Sequence, residues 1–220
     1  MTSDPARLIL LTPQIGDAER FRPDLAAACG AGPIAAVLLQ LAAADERSMV
    51  NAVKRLASAA QAEGAAVLVC EPALPFPLLD LATLASRGGA DGIHLRRPAE
   101  ARTWRARLGS DRSLGVAGLR TRHDAMDAGE AGADFVLFGE PRPDGSVPAL
   151  DDVVERAAWW AEIFQVPCAA FAPTLDAVPR LAATGAEFVV LGDAVWQHPD
   201  GPAAAIAAAI AALNRSEVPA

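Results

Sequence analysis

The sequence predicts a single-domain (β/α)8 TIM barrel, and three observations predict it. First, one short pattern recurs: Gly64-Ala-Ala-Val-Leu-Val-Cys70, Gly89-Ala-Asp-Gly-Ile-His-Leu95, Gly132-Ala-Asp-Phe-Val-Leu-Phe-Gly139 and Gly185-Ala-Glu-Phe-Val-Val-Leu-Gly192. Each copy opens on a glycine suited to the left-handed position that closes a helix, then passes through a small residue into an apolar run. A repeated helix stop followed by a buried strand marks a βα unit. Second, eight such strands alternate with eight helices across residues 1–220, with no linker and no break in composition. Third, the strands are apolar nearly throughout, as in a parallel sheet covered on both faces. An open doubly wound sheet is the alternative, and eight units favour closure.

In chain order, Arg7 to Thr12 forms the first strand, and a polar loop leads to a short helix from Pro23 to Cys29, stopped by Gly30 and Gly32. Ile34 to Leu41 is the second strand, with Gln40 near its end. Asp45 caps a helix whose Met49, Val53, Leu56 and Ala60 recur at helical spacing, and Gly64 ends it. Ala65 to Cys70 is the third strand, running into Glu71 and the proline-rich segment to Pro77, followed by a helix from Leu78 to Arg87. The fourth strand ends in His94-Leu-Arg-Arg97, and Pro98 opens the next helix. Leu114 to Ala117 is the fifth strand, Thr121 caps a helix, and Phe135 to Phe138 is the sixth strand. The longest loop, Gly139 to Pro148, leads to a helix carrying Val153, Ala157, Trp160 and Phe164, with Asp151 and Asp152 at its positive N-terminal end. Pro167 to Phe171 is the seventh strand; Thr174 caps a helix that Pro179 bends; Glu187 to Leu191 is the eighth strand; and Pro202 opens a final helix with Ile206, Ile210 and Leu213 on one face.

Composition narrows the function classes. Net charge is −8 and Lys54 is the single lysine, so the chain lacks the basic footprint of a nucleic-acid binder. Cys29, Cys70 and Cys168 lie far apart, in neither a disulfide framework nor a zinc pattern, which suits a reducing cytoplasm. The first residues, Met1 to Pro5, lack the basic and apolar regions of a signal peptide. The alanine-rich segment from Pro202 to Leu213 is shorter than the roughly 20 residues that span a bilayer. The expectation is a cytoplasmic protein with a small-molecule ligand and no membrane or nucleic-acid partner.

In a barrel of this kind chemistry sits on the loops that follow the strands. That rule selects Thr12, Gln40, Glu71, His94, Arg96, Gly118, Glu140, Arg142, Ala172 and Asp193. Glu71, directly after a strand, must be solvated at the rim or paired with a cation, for which Arg96 and Arg97 are candidates. Of Trp159 and Trp160, one packs in the core and the other projects outward, where it suits a subunit contact in a homo-oligomer. Trp196-Gln-His198 either lids the mouth or covers the last helix.

The segments LASRGGADGIHL (84–95), GEAGADFVLFG (129–139) and TLDAVPRLAATGAEFVVLG (174–192) resemble the thiamine phosphate synthase and thiazole tautomerase family over most of the chain. The resemblance implies a (β/α)8 barrel that joins a pyrimidine pyrophosphate to a thiazole phosphate with the help of cations and magnesium. It also implies roles for particular positions, many of which are altered here. The family's QLREK-type strand end is Gln40-Leu41-Ala42-Ala43-Ala44, keeping only Gln40 as a ligand contact. The Asn-Asp pair is Cys70-Glu71, leaving Glu71 as the one candidate magnesium ligand, and the GQED-type segment is Arg96-Arg97-Pro98-Ala99. A serine position is Ala117, and the loop lysine falls near Val147, with Arg142 able to supply charge there. The Gly-Gly pair that would hold phosphate through backbone N–H groups is Ala172-Pro173, and Gly192 is followed by the anionic Asp193. Glu140 stands where the similar tautomerase carries an acid–base histidine, and apolar neighbours Phe138 and Phe171 would raise its pKa toward neutrality; the alternative is that Glu140 only pairs with Arg142 or Arg120 at the rim.

The resulting expectation has Glu140 and His94 as catalytic candidates, and Gln40, Glu71, Arg96, Arg142, Gly192 and Asp193 as ligand contacts. Function is expected to be that of a synthase-like barrel of thiamine biosynthesis, binding a thiamine precursor with weak or no synthase activity. Two other readings stay open: a tautomerase-like proton-transfer enzyme, and a noncatalytic ligand- or partner-binding barrel.

Overall fold

The computed structural model describes residues 5–71, 80–142 and 144–215. Eight parallel strands close a barrel in sequence order: β1 (Arg7–Ile15), β2 (Ile34–Leu41), β3 (Ala66–Cys70), β4 (Gly92–Leu95), β5 (Ser113–Val116), β6 (Phe135–Phe138), β7 (Cys168–Ala172) and β8 (Phe188–Leu191). Closure is made by β1 on β8, with Leu8 opposite Val189 and Leu10 opposite Leu191. Consecutive units are neighbours throughout, as the βα repeat requires.

Side-chain alternation explains why the strands are apolar on both faces. Ile9, Leu11, Leu38, Leu68, Phe135, Leu137 and Val190 form the cluster inside the barrel. Their neighbours Leu8, Leu10, Val37, Leu39, Val67, Val69, Val136 and Val189 join the second cluster, between sheet and helices.

The helices are α1 (Ala18–Gly30), α2 (Glu46–Gln61), α3 (Leu81–Gly88), α4 (Ala101–Leu108), α5 (Arg122–Glu130), α6 (Leu150–Ile163), α7 (Val178–Ala182), α8 (Asp193–Trp196) and α9 (Pro202–Arg215). The expected α2 face is buried, and Asp45 caps the helix by accepting from the Ser48 N–H. Thr121 and Asp124 form a reciprocal capping box on α5. Gly89 closes α3 at φ 76°, while Gly64, Gly132 and Gly185 take the same left-handed conformation in the turns that follow α2, α5 and α7.

Four expectations are corrected. β1 runs on to Ile15, and α1 begins at Ala18 because Asp17 accepts from the N–H groups of Glu19 and Arg20, which leaves Pro23 inside the helix. α3 begins at Leu81, capped by Asp80; the predicted start at Leu78 and the segment Pro72 to Pro77 lie outside the described residues. Thr174 makes no side-chain cap, and Pro179 sits in the first turn of α7 rather than bending it, where its missing N–H costs nothing. α8 was not anticipated: its four residues follow β8 directly, too short for periodicity to reveal.

Candidate functional site

At the C-terminal ends of the strands, polar side chains from β1, β2, β4 and β6 meet across the barrel mouth. Thr12 is buried on β1; its Oγ1 accepts from the Gln40 N–H at 2.9 Å, and its carbonyl accepts from the Gln40 side-chain amide. Gln40 Oε1 in turn accepts from Arg96 Nη2 at 2.7 Å. Arg96 donates its Nε–H to Glu140 Oε1 at 2.9 Å, and Nη2 lies 2.9 Å from the same oxygen. The short residues Thr12 and Gln40 thus anchor a guanidinium that bridges to the loop after β6.

Glu71 follows β3 and is buried, with 5% of its surface exposed. Both its oxygens are engaged: Oε2 accepts from the Arg96 backbone N–H at 2.8 Å, and Oε1 pairs with Arg97, which also reaches Glu100. Of the two cations offered as partners, Arg97 supplies the side-chain pair and Arg96 the backbone bond. Magnesium is the ion that the resemblance implies at Glu71. Glu71 would have to surrender Arg97 to ligate it, and among the described residues no group of three or more His, Cys, Asp or Glu side chains is placed to hold a metal.

His94 is fully buried, stacked on Phe135 with ring centroids 5.9 Å apart, and neither ring nitrogen has a hydrogen-bond partner. Its Nε2 lies 3.8 Å from Glu140 Oε1, an ion-pair distance beyond hydrogen-bonding reach. Glu140 departs from expectation. Burial pushes its pKa up, but His94 and Arg96 together outweigh that, so the carboxyl is held below the ordinary glutamate range. Its cationic partner is Arg96, rather than the Arg142 or Arg120 that sequence proximity suggested. Cys70 ends β3 beside Glu71 with its thiol pushed up by burial, and further by Glu140, so it is no thiolate nucleophile.

Two cavities open here, sharing Glu71, Arg96, Pro141 and Arg142. One, of about 610 Å³, lies toward β4–β6 and α6 and includes Arg97, Arg120 and Arg156. The other, of about 480 Å³, lies toward β1, β2, β7 and β8 and includes Thr12, Gln40, Phe171, Pro173, Gly192 and Asp193. The structure therefore brings every predicted ligand contact to one mouth. Sequence reasoning missed Arg120 and Arg156; the first follows β5 by the same strand-end rule, whereas the second rises from α6 and carries no such signal.

Trp196 does not cover the mouth: its Nε1 donates to the Leu11 carbonyl at 2.7 Å and its ring packs 4.9 Å from Phe21 of α1. Trp160 is core, and Trp159 is half-buried beneath Arg122, whose guanidinium lies 4.7 Å from the ring centroid. Among the described residues no helix is long and apolar enough to cross a membrane.

Closure, strand order and a polar mouth of this size define a (β/α)8 barrel of the small-molecule type. The chain belongs to the thiamine monophosphate synthase family, whose model matches residues 8–195. It is 40% identical over 204 residues to a thiamine-phosphate synthase of Rhodospirillum centenum, covering 91% of this chain and 94% of that one. It is 37% identical over 213 residues to a thiamine-phosphate synthase of Hyphomonas neptunium, covering 92% and 91%. In fold it is similar to a thiamine phosphate pyrophosphorylase from Pyrococcus furiosus, with a TM-score of 0.75 at 18% identity over 96% of this chain and 97% of that one.

Proposed function

We propose that the mouth binds a small precursor of thiamine biosynthesis and forms thiamine phosphate far more slowly than the synthases the chain is similar to. The observation that carries this reading is the commitment of Glu71 to Arg97 and to the Arg96 N–H. The one carboxylate at a position implied for magnesium is already neutralised by the protein. Two further features point the same way: Pro173 offers no N–H to a phosphate, and Asp193 repels one. Removing one charged stabiliser of a developing anion commonly lowers a rate by about 10²–10³, and several implied positions are altered together. The three buried, unpaired thiols suit a reducing cytoplasm.

A steady-state assay with pyrimidine pyrophosphate, thiazole phosphate and magnesium, run beside the Rhodospirillum centenum enzyme, tests the reading. The expected rate is at least about 100-fold lower; comparable turnover overturns it. A second reading, proton transfer, keeps one observation in its favour, a buried carboxylate at the mouth in Glu140, although Arg96 and His94 hold that carboxylate ionised and so make it a weaker base. It predicts exchange of an acidic ligand proton with solvent deuterium, abolished in Glu140→Gln; exchange unchanged in that variant removes it.

A further inference from the structure

The smaller cavity, of about 480 Å³, contains one charge that the protein itself leaves unanswered. Four of its lining residues are ionic: Glu71, Arg96, Arg142 and Asp193. Glu71 is neutralised by Arg97, and Arg96 by Glu140. Arg142 lies on the side shared with the larger cavity, and there it meets Asp144 at one hydroxyl: Ser146 Oγ accepts from Arg142 at 3.3 Å and donates to Asp144 at 2.7 Å. Asp193 is different. It is exposed at the start of α8, and among the described residues its side chain makes no hydrogen bond or ion pair.

The surroundings of Asp193 are aromatic and poor in donors. Phe171, near the end of β7, leans against the bare Cα of Gly192: a Cβ there would meet the ring's Cε2 and Cζ at 3.2 and 3.3 Å. The absence of a side chain at position 192 thus sets the ring beside the residue that precedes the free carboxylate. β7, β8 and β1 are consecutive around the closed barrel, so Phe171, Asp193 and the apolar Leu11 and Pro13 gather on one side of the cavity. Gln40 is engaged at both ends, by the Thr12 carbonyl and by Arg96, and Pro173 has no N–H to offer. An aromatic ring next to an unpaired carboxylate attracts a cation. The same carboxylate, with no N–H from Pro173 beside it, repels a phosphate.

We propose that the β7–β8 side of the mouth selects a flat heteroaromatic ring with a fixed positive charge, of the thiazolium type, and disfavours a phosphate on the same ligand. A thiazole nitrogen gains that charge when it is alkylated, so Asp193 and Phe171 distinguish the alkylated ring from its neutral form. Asp193 supplies the charge preference, and Phe171, held in place by Gly192, supplies the face on which the ring lies. This deepens the proposed function and rests on it only for the thiazole scaffold; the preference for a cation is read from the cavity itself.

The test is isothermal titration of the full chain with a neutral thiazole alcohol and with its N-methyl thiazolium salt, which differ by one methyl group and the charge. The salt is expected to bind about threefold to tenfold more tightly, the range for a cation facing an aromatic ring and an exposed carboxylate. Thiamine, which carries the same cation, should bind more tightly than thiamine phosphate. Asp193→Asn keeps the size and removes the charge at an exposed position, so it should retain the fold and erase most of both preferences. Phe171→Leu should weaken the salt more than the neutral alcohol. Arg55→Ala, on the outer surface against Glu19, serves as the unchanged control. Equal affinity for salt and alcohol, tighter binding of thiamine phosphate than of thiamine, parent-like preferences in Asp193→Asn, or absence of binding by every probe overturns the inference. The synthase assay separates the two levels. Slow turnover in a protein that prefers the phosphorylated ligand removes the cation preference and leaves the function; turnover comparable with the Rhodospirillum centenum enzyme, together with a preference for the cation that Asp193→Asn erases, does the reverse.

Discussion

Glu140 shows how one side chain's chemistry is set by neighbours remote in sequence. Its partners, His94 and Arg96, come from β4, so a residue expected to gain protons in an apolar mouth instead loses them more readily. The sign for stability follows. A carboxyl whose folded pKa lies below its ordinary value of 4.5 adds stability above that value, and the contribution disappears as pH falls through the folded pKa. Glu140→Gln is therefore expected to lower stability at neutral pH by about 1.5–3 kcal/mol, the worth of a hydrogen bond to a charged group. The gap between parent and variant should narrow on acidification below about pH 4.5. Urea unfolding at several pH values measures it, and a gap that stays constant with pH would show that the ionised form is not what Arg96 and His94 favour. The sequence located Glu71, His94, Arg96 and Glu140 at the mouth because strand ends are readable from periodicity. It did not say who pairs with whom, because long side chains such as those of Arg96 and Arg97 reach across the barrel in directions that spacing alone leaves open.

At the level of elements, the recurring Gly-Ala-Asp/Glu segment has a structural purpose that its repetition only hinted at. Asp91, Asp134 and Glu187 each accept a hydrogen bond from a backbone N–H at or next to the start of the preceding strand: Val67 at 2.7 Å, Leu114 at 2.7 Å and Cys168 at 2.8 Å. These carboxylates stitch β3 to β4, β5 to β6 and β7 to β8 at the end of the barrel opposite the mouth, the end where side chains serve stability. The motif was legible as a helix stop plus strand, but its acidic position reads as a solvated turn residue until the barrel closes and brings the earlier strand alongside. Asp134→Ala removes the acceptor for the Leu114 N–H and also the Arg105 pair at 2.5 Å. It is expected to cost about 1–3 kcal/mol, the range for a buried donor left without its partner, while affinity for the thiazolium salt stays at the parent value. A stability loss in chemical denaturation accompanied by weakened binding would mean that the two ends of the barrel are coupled, contrary to this division.

Over the whole molecule, a closed barrel leaves no free strand edge. We propose that residues 1–220 act as one cooperative unit, and α9 is the element that tests it. The helix is nearly all alanine and isoleucine, and its Ala205, Ile206, Ala209, Ala212 and Leu213 are buried, packed against α1 and α7. The fit against α1 is close: a Cβ placed on Gly32, just beyond that helix, would come within 2.2 Å of Ile210. Burying an isoleucine and a leucine contributes about 1.5–3 kcal/mol each, and each alanine methyl about 0.8 kcal/mol, a sum comparable with the 5–15 kcal/mol that holds a typical domain together. A chain ending at Asp200 exposes the apolar face of α1 beside β1, the strand that closes the barrel on β8. Such a chain is expected to lose cooperative unfolding altogether, with no heat-absorption peak in calorimetry, whereas the full chain should give a single transition whose calorimetric and van't Hoff enthalpies agree. Two separate transitions in the full chain, or a native-like peak in the shortened one, would show that part of the barrel is stable without closure.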